Sequence, residues 1–461
     1  MVRRRPAAPR GAARTPAHPN RSHLRLSAPV DGGNVHAARP EPSVRVGLIG
    51  LAGLLATSLL VCLSATQSEL LLPTSLRPLP ESLAGPLAGA GLKLGVFALV
   101  AAFVAMFISY AAAARAAEKL RPRTVLIAIG VLHALVLLAP PLFSSDVFSY
   151  AAYGRMGALY DANPYLHGPS AIPLEGLHSL IGAQWLATPS AYGPLFTALS
   201  YLLVPLSIAA NVMAYKLVAA VSSLTLILLV WRAASLRGLS PVRAAVLVGL
   251  NPIIVLYGVG GGHNDLMMLA ILAAAIYVLL QERERRGGAL IVAAGAVKLT
   301  AGLLLPFALA GRPRGEGAAR TRLALGAALG AVAVAVLAFA FFGTAPLQLP
   351  SILMGIQSEG GPQSIVGFLA AAVGIEPIPR ALSIGLTLLF LAIVAWLLRK
   401  VWIGEMDWIV GAGWATVALL VTTGFLVPWY VAWLLPLAAL TNDRRLLVAA
   451  LFLTGVGLTT L

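Results

Sequence analysis

Long apolar runs follow one another along almost the whole chain after its first forty or so residues. Roughly 17 to 25 apolar residues carry a helix across a bilayer, and most of the runs have about that length. The pattern therefore predicts an all-α, polytopic membrane protein of about 12 or 13 transmembrane helices. The runs cover about 45–65, 93–117, 124–143, 193–208, 211–231, 243–259, 264–281, 288–311, 320–342, 380–400, 406–424, 427–440 and 445–461.

Basic residues between the runs predict the orientation of the helices. Lys and Arg gather at 118–123, 231–243, 281–286 and 312–314, and loops rich in these residues stay on the cytoplasmic side of the plasma membrane. Two runs then break the alternation of crossings. We expect 193–208 to be interfacial or re-entrant and 288–311 to be a hairpin of short helices, because such segments occur where protein covers them.

The polar stretches divide the chain into a tail and a membrane domain. Residues 1–43 are rich in Arg, Ala and Pro, which predicts a disordered, basic, cytoplasmic tail. Residues 44–461 form the predicted transmembrane domain. Its longest polar segments, near 144–192 and 343–379, are predicted to be loops on the extracytoplasmic face.

Composition removes several classes of function. The chain has 461 residues, of which 59% are hydrophobic and 11% charged, and its net charge is +16. That charge follows from cytoplasmic loops and a tail that can contact membrane lipids, so we expect no nucleic-acid partner. The single cysteine, Cys62, rules out a disulfide within the chain. Nucleotide-binding motifs are missing as well, so we expect no cofactor, and any group donor is expected to be a lipid.

Asp146 is the leading candidate for catalysis. It stands at the end of the run 124–143, where an acidic residue is costly to place. If a helix follows, Tyr150 and Tyr153 share its face at i+4 and i+7, with Arg155 just beyond. A carboxylate beside aromatic rings suits a general base next to a sugar, whereas the structural alternative is that Asp146 caps that helix.

Two further groups are candidates for substrate binding. Asn163 and Tyr165 flank a proline in the same loop, where a turn is the simpler explanation. His263, Asn264 and Asp265 follow three glycines between two apolar runs. There Asp265 could equally cap the next helix, and two potential ligands, His263 and Asp265, are weak evidence for a metal. We therefore predict no metal.

The remaining candidate site residues are Lys298 and an aromatic pair near the C-terminal end, Trp429 and Tyr430. Lys298 interrupts an apolar run, where an ammonium needs a partner or a polar cavity. It is predicted to contact a lipid phosphate, with snorkelling or an ion pair as the alternatives. Trp429 and Tyr430 follow Pro428, where they would line an outer cleft or form an interfacial aromatic belt.

Several of these segments resemble the polyprenol-phosphomannose-dependent α-1,6-mannosyltransferases of actinobacteria, which are GT-C class membrane glycosyltransferases. The resemblance extends over about 45–440. It is carried by 145–155 (Ser-Asp-Val-Phe-Ser-Tyr-Ala-Ala-Tyr-Gly-Arg), Asn163–Tyr165, 261–267 (Gly-Gly-His-Asn-Asp-Leu-Met), Val297–Leu299 and Pro428–Tyr430.

The resemblance implies a GT-C-like fold and a reaction on the outer face of the plasma membrane. A mannosyl residue would pass, with inversion, from a polyprenyl-phosphate-mannose donor to a lipid-linked mannan or glycan acceptor, with Asp146 as general base. Two alternatives stay open. One is a transferase that uses another polyprenyl-phosphate sugar, such as arabinose. The other is a polytopic transporter or flippase, although transporters concentrate polar groups at the midplane and often in repeated halves.

Overall fold

The computed structural model describes residues 43–461 except 88–90, 174–175, 314, 316, 360, 362–363, 375–377 and 460–461. The predicted disordered tail, 1–43, therefore lies outside the described residues apart from Ser43. The side chain of Ser43 accepts a hydrogen bond from the backbone N–H of Val46 and caps the first helix.

Helices make up the ordered structure, and the described part of the chain contains no β-strand. The α-helices are α1 (Val44–Ser64), α2 (Val96–Arg115), α3 (Pro122–Leu138), α4 (Asp146–Tyr160), α5 (Pro194–Leu202), α6 (Ile208–Leu236), α7 (Pro241–Gly249), α8 (Asp265–Leu280), α9 (Glu284–Gly295), α10 (Leu304–Ala310), α11 (Gly317–Phe342), α12 (Leu349–Glu359), α13 (Ile365–Ala372), α14 (Arg380–Trp402), α15 (Trp408–Thr422), α16 (Leu435–Ala439) and α17 (Arg444–Thr459).

Short helical turns connect them. A π-helix covers Ile253–Val259. The described 3₁₀ turns are Glu69–Leu71, Thr74–Leu76, Glu81–Leu83, Ala117–Lys119, Pro169–Ala171, His178–Leu180, Ala183–Trp185, Leu299–Leu303, Ala345–Gln348 and Pro428–Trp433.

The prediction of an all-helical, polytopic membrane protein is confirmed. By length and composition, five helices in the described residues can cross a membrane: α1, α2, α6, α11 and α14. A sixth span is possible if α7 and the π-helix, bent by 48°, count as one. The remaining apolar runs form helices of 17 residues or fewer, such as α3, α8 and α15.

The runs predicted to be irregular are short helices. The run 193–208 contains α5, which has nine residues and at about 1.5 Å per residue is too short to cross alone. The run 288–311 is split into α9, the turn Leu299–Leu303 and α10. Lys298 lies at this break, with an extended backbone.

Close packing between α9 and α11 depends on glycine. A Cβ at Gly288 would collide with the backbone of α11 at Leu323, and one at Gly326 with the backbone of α9 at Arg285. Small residues of this kind let two helix backbones approach within a membrane. This contact holds α9, and with it the start of the Lys298 segment, against a long span.

Candidate active site

The segment before α4 sets the position of Asp146. Phe143 adopts a left-handed backbone, with φ of 63°, and its N–H donates to the carbonyl of Leu71 (3.0 Å). The Asp146 N–H donates to Ser144 Oγ at 3.1 Å. Asp146 is the first residue of α4 and Ser145 occupies the cap position without a side-chain cap hydrogen bond.

Three side chains contact one oxygen of the Asp146 carboxylate. Oδ2 accepts from the hydroxyls of Tyr192 (3.3 Å) and Tyr150 (3.4 Å), and His263 Nδ1 lies 3.3 Å from it. Burial by itself raises the pKa of this carboxyl. The contact with His263 and its charge, with smaller contributions from Ser144 and Lys298, outweigh burial and hold the pKa below the ordinary 3.8. Asp146 is therefore ionised at neutral pH.

An aromatic cluster surrounds Asp146. Tyr150 is fully buried and packs edge-to-face against Tyr192 and Phe196, with both centroid distances 4.8 Å. Tyr153, one turn further along α4, donates its hydroxyl to the carbonyl of Thr188 (2.9 Å). Burial, followed by the negative charge of Asp146, raises the pKa of Tyr192 well above its usual value. These tyrosines thus remain neutral hydrogen-bond donors beside the carboxylate.

His263 joins two parts of the site. The preceding Gly262 has φ of +67°, and a Cβ there would lie 2.7 Å from Val147 Cγ1, so glycine lets this loop press against α4. The imidazole is fully buried and stacks on Trp429, with ring centroids 3.9 Å apart. The loop 260–264 and the turn Pro428–Trp433 therefore converge on Asp146.

Lys298 forms a buried ion pair with Asp265. Its Nζ lies 2.8 Å from Oδ1 and 3.0 Å from Oδ2, and Oδ1 also accepts from Trp433 Nε1 at 2.6 Å. The ammonium lies 4.4 Å from the centre of the Tyr430 ring, which adds a cation–π contact. Asp265 caps nothing through its side chain, because Asn264 holds the cap position of α8.

Asp146 and Lys298 line the same cavity, whose volume is about 450 Å³. A volume of this size accommodates a small ligand. Five sequence candidates line it: Asp146, Tyr153, Lys298, Trp429 and Tyr430. Residues that the sequence did not single out as site residues also line it, among them Arg77, Gln184, Trp185, Tyr192, Tyr257 and Gln357.

The other candidates lie behind or away from the cavity wall. Tyr150, His263 and Asp265 support residues that line it, as described above. Asn264 is buried, and neither atom of its amide has a partner among the described residues. Arg155, on α4, is not among the lining residues.

Asn163 and Tyr165 organise the loop that carries Tyr192. Asn163 Nδ2 donates to the carbonyl of Phe342 (2.8 Å) and its Oδ1 accepts from the Tyr165 N–H (3.0 Å). The Tyr165 hydroxyl donates to the carbonyl of Tyr192 at 2.8 Å. These contacts agree with the prediction that Asn163 and Tyr165 belong to a turn. Tyr165 is linked to Asp146 only indirectly, through Tyr192.

Trp433 and Tyr192 are contacts that the sequence did not single out. Trp433 follows Tyr430 by three residues, and residues with this spacing lie above one another in a 3₁₀ turn, where the two rings stack with centroids 4.1 Å apart. Tyr192 carries no local signal, because 46 residues separate it from Asp146. In the described residues, no three His, Cys, Asp or Glu side chains come together as a metal site.

Comparison with known proteins identifies two overlapping family matches. Residues 44–311 match the model of the alpha-(1->6)-mannopyranosyltransferase N-terminal domain. Residues 191–461 match glycosyltransferase family 87. Each match covers more than half of the chain, and they overlap from α5 to α10. No solved structure matches the chain.

Individual relatives carry the same name. Alpha-(1->6)-mannopyranosyltransferase A of Mycobacterium tuberculosis is 28% identical over 338 residues, covering 68% of this chain and 65% of the relative. A second alpha-(1->6)-mannopyranosyltransferase of that organism is 34% identical over 138 residues, which are 28% of this chain and 23% of the relative. Alpha-(1->6)-mannopyranosyltransferase A of Corynebacterium glutamicum is 26% identical over 183 residues, 38% of this chain and 37% of the relative.

This chain thus aligns with less than two thirds of the length of each of these relatives. The family assignment rests on the two family models, which between them run from α1 to the end of the chain. Asp146, His263 and Lys298 all lie in the part of the chain that matches the mannopyranosyltransferase model, residues 44–311. The chain belongs to the alpha-(1->6)-mannopyranosyltransferase family and to glycosyltransferase family 87.

Proposed function

We propose that this protein transfers a mannosyl residue, with inversion, from a polyprenyl-phosphate-mannose donor to a lipid-linked mannan acceptor. The observation that carries the proposal is that a carboxylate, Asp146, and an ammonium, Lys298, open on one cavity lined with aromatic rings. Mannosyl transfer is also what the names of the similar proteins state.

Asp146 is the proposed general base. Its contacts with Tyr192, Tyr150 and His263 fall on Oδ2, so Oδ1 is the oxygen proposed to face the acceptor. As the acceptor hydroxyl oxygen bonds to C1 of mannose, its proton passes to Oδ1, and the bond from C1 to the phosphate oxygen breaks. Proton transfer to a positioned base contributes roughly 10²- to 10⁴-fold.

Lys298 is proposed to stabilise the phosphate that leaves. The bond that breaks leaves its electron pair on the phosphate oxygen, so positive charge nearby lowers the barrier. The ion pair with Asp265 and the ring of Tyr430 hold the ammonium in one place. A group fixed in advance loses little free energy to reorganisation during the reaction.

The aromatic residues are proposed to bind the sugar. Tyr153, Trp429 and Tyr430 line the cavity and combine an apolar ring with a polar edge. The apolar C–H face of a pyranose can lie on such rings while its hydroxyls form hydrogen bonds at the margin. By the positive-inside argument, we propose that this cavity faces outward from the plasma membrane and that the N-terminus is cytoplasmic.

The test uses membranes that contain the protein, incubated with one radiolabelled polyprenyl-phosphate sugar at a time. The proposal expects label from the mannose donor in a lipid-linked mannan. Label only from an arabinose donor would refute the choice of sugar. No transfer from any donor would refute the enzymatic proposal and favour transport.

A further inference from the structure

The charged residues that line the cavity differ in whether an opposite charge already balances them. Its charged lining residues within the described chain are Arg77, Asp146 and Lys298. Lys298 is already balanced by the buried carboxylate of Asp265, 2.8 Å away. A phosphate that approached Lys298 would therefore also meet the negative charges of Asp265 and Asp146. A second cation is needed if the cavity is to hold a phosphate with net attraction.

Arg77 is the cation that meets this need. It is exposed, and no carboxylate among the described residues forms an ion pair with it. Its Nη2 donates to the carbonyl of Leu72 at 2.8 Å, and Leu72 lines the cavity too. A guanidinium has five N–H donors in a planar fork that matches phosphate oxygens, so one such bond leaves most of its donors for a ligand.

The loop that carries Arg77 is attached to the catalytic segment at two points. The carbonyl of Leu71 accepts from the N–H of Phe143 (3.0 Å), three residues before Asp146. Ser75 Oγ donates to the carbonyl of Leu180 at 2.7 Å. The first bond joins the turn Glu69–Leu71 to the segment before α4, and the second joins the turn Thr74–Leu76 to the turn His178–Leu180. Arg77, which directly follows the turn Thr74–Leu76, is thus held on the wall of the cavity that Asp146 also lines.

We propose that Arg77 binds the phosphate of a lipid that occupies this cavity. The identity of that lipid rests on the function proposed above, and two sources have the required chemistry. One is the polyprenyl phosphate of the donor, whose negative charge increases when the sugar leaves. The other is a phosphate in the headgroup of an anionic acceptor lipid.

Binding measurements on the purified full-length protein test this assignment without requiring turnover. The probes are a polyprenyl monophosphate and vesicles of phosphatidylcholine with or without phosphatidylinositol. A charge-assisted hydrogen bond lost from Arg77→Gln should weaken binding of one probe about ten- to a hundredfold. If Arg77→Gln binds the polyprenyl monophosphate more weakly, Arg77 binds the phosphate of the donor. If it binds the phosphatidylinositol vesicles more weakly, Arg77 binds the headgroup of the acceptor. Equal binding of both by Arg77→Gln and the wild type, or no binding of either by the wild type, overturns the proposal.

Two further variants control for folding and for general charge. Arg380→Gln removes an exposed arginine that does not line the cavity, so its binding should match the wild type. Arg77→Lys keeps the charge but not the fork and should bind with intermediate affinity. If Arg77→Gln melts at a lower temperature than the wild type, its weaker binding could come from misfolding, and the binding of Arg77→Lys is then the deciding measurement. Binding of the probes by Arg77→Lys with wild-type affinity overturns the proposal.

The binding result and the transferase assay can fail separately. A protein that transfers mannose but binds both probes equally well without Arg77 would remove this inference and leave the proposed function. If binding depends on Arg77 but the protein transfers no sugar, the proposed function is removed and the phosphate-binding role of Arg77 remains.

Discussion

Two residues with opposite charge define the site, and each is stabilised by a different means. Asp146 keeps its charge because hydroxyl groups and an imidazole surround one of its oxygens. Lys298 keeps its charge because a buried carboxylate and two aromatic rings surround it. Both groups remain on the wall of one cavity, so the stabilising contacts do not close off either of them.

Removing one partner of the pair between Asp265 and Lys298 should destabilise the protein strongly. Breaking a buried ion pair by deleting one partner costs about 3–5 kcal/mol, because the other charge stays buried without compensation. We expect Asp265→Asn and Lys298→Met each to lower the melting temperature of the purified protein. The double variant should lose less than the sum of the two. Additive losses would contradict the pair.

The contact of His263 with Asp146 should appear in the pH dependence of transfer. His263 lowers the pKa of Asp146, so the proposed base stays ionised, and we expect activity to be lost only as the pH falls through that lowered value. His263→Phe keeps a ring against Trp429 but removes the polar contact. The pKa of Asp146 then rises, and we expect the acid limb of log kcat to move to higher pH.

A control variant shows whether the shift of the acid limb is specific to His263 or follows from the loss of any buried histidine. His178 is buried in the segment between α4 and α5 and contacts the carbonyl of Pro169, not Asp146. His178→Phe should leave the acid limb where it is in the wild type. An acid limb that is the same in His263→Phe as in the wild type would contradict the role given to His263.

Helical spacing predicted which side chains of α4 lie near Asp146, because it depends only on neighbours along the chain. Tyr150 and Tyr153 lie four and seven residues after Asp146 and share its face of α4. Arg155 lies nine residues after it, which at 3.6 residues per turn is half a turn away, and it does not line the cavity.

Pairing between distant segments could not be predicted in the same way. The cost of burying an ammonium indicated that Lys298 needs a partner or a polar cavity, and the protein supplies both. Nothing local selects Asp265, which is 33 residues away, from the other acidic residues. The same holds for Tyr192 beside Asp146, since only the fold brings those two segments together.

At the scale of elements, the end of α3 and the loop 260–264 determine where α4 begins. Lys216, buried within α6, donates from Nζ to the carbonyls of Leu137, Ala139 and Pro140. These carbonyls lie where α3 ends and have no partner within a helix. The chain is therefore anchored just before the segment that carries Asp146.

Gly262→Ala should disrupt this junction. A methyl group there would lie 2.7 Å from Val147 Cγ1, and a left-handed backbone costs an L-residue about 1–2 kcal/mol. Gly238 has the same φ, +67°, but nothing within 4 Å of its would-be Cβ. We expect Gly238→Ala to retain transfer with a small loss in melting temperature, and Gly262→Ala to lose most transfer. Equal activity in the two variants would contradict the account.

At the scale of the whole molecule, the fold class followed from hydropathy, and the exact spans did not. Apolar composition is sufficient to predict helices in a membrane, because backbone groups in lipid must be paired internally. It does not say how long each helix is. The positions of the basic loops, not composition, indicated that the runs 193–208 and 288–311 do not cross as single spans, and the protein folds both into short helices.

The orientation of the molecule can be tested by labelling single cysteines. Replacing Cys62 by Ala leaves a chain without cysteine. In that background, Gln184→Cys, at an exposed position that lines the cavity, should react with a membrane-impermeant maleimide added to intact cells. Arg286→Cys, exposed in the first turn of α9 on the basic side, should react only after lysis. The opposite pattern would contradict the proposed outward-facing cavity.

The most direct measurement of the central claim is mannosyl transfer by Asp146→Asn, compared with the wild type at equal membrane expression. Asparagine keeps the shape of the side chain and cannot accept the proton. We expect the wild type to transfer mannose from polyprenyl-phosphate mannose and the variant to be slower by about a hundredfold or more. Transfer by Asp146→Asn at the wild-type rate would show that Asp146 is not the base.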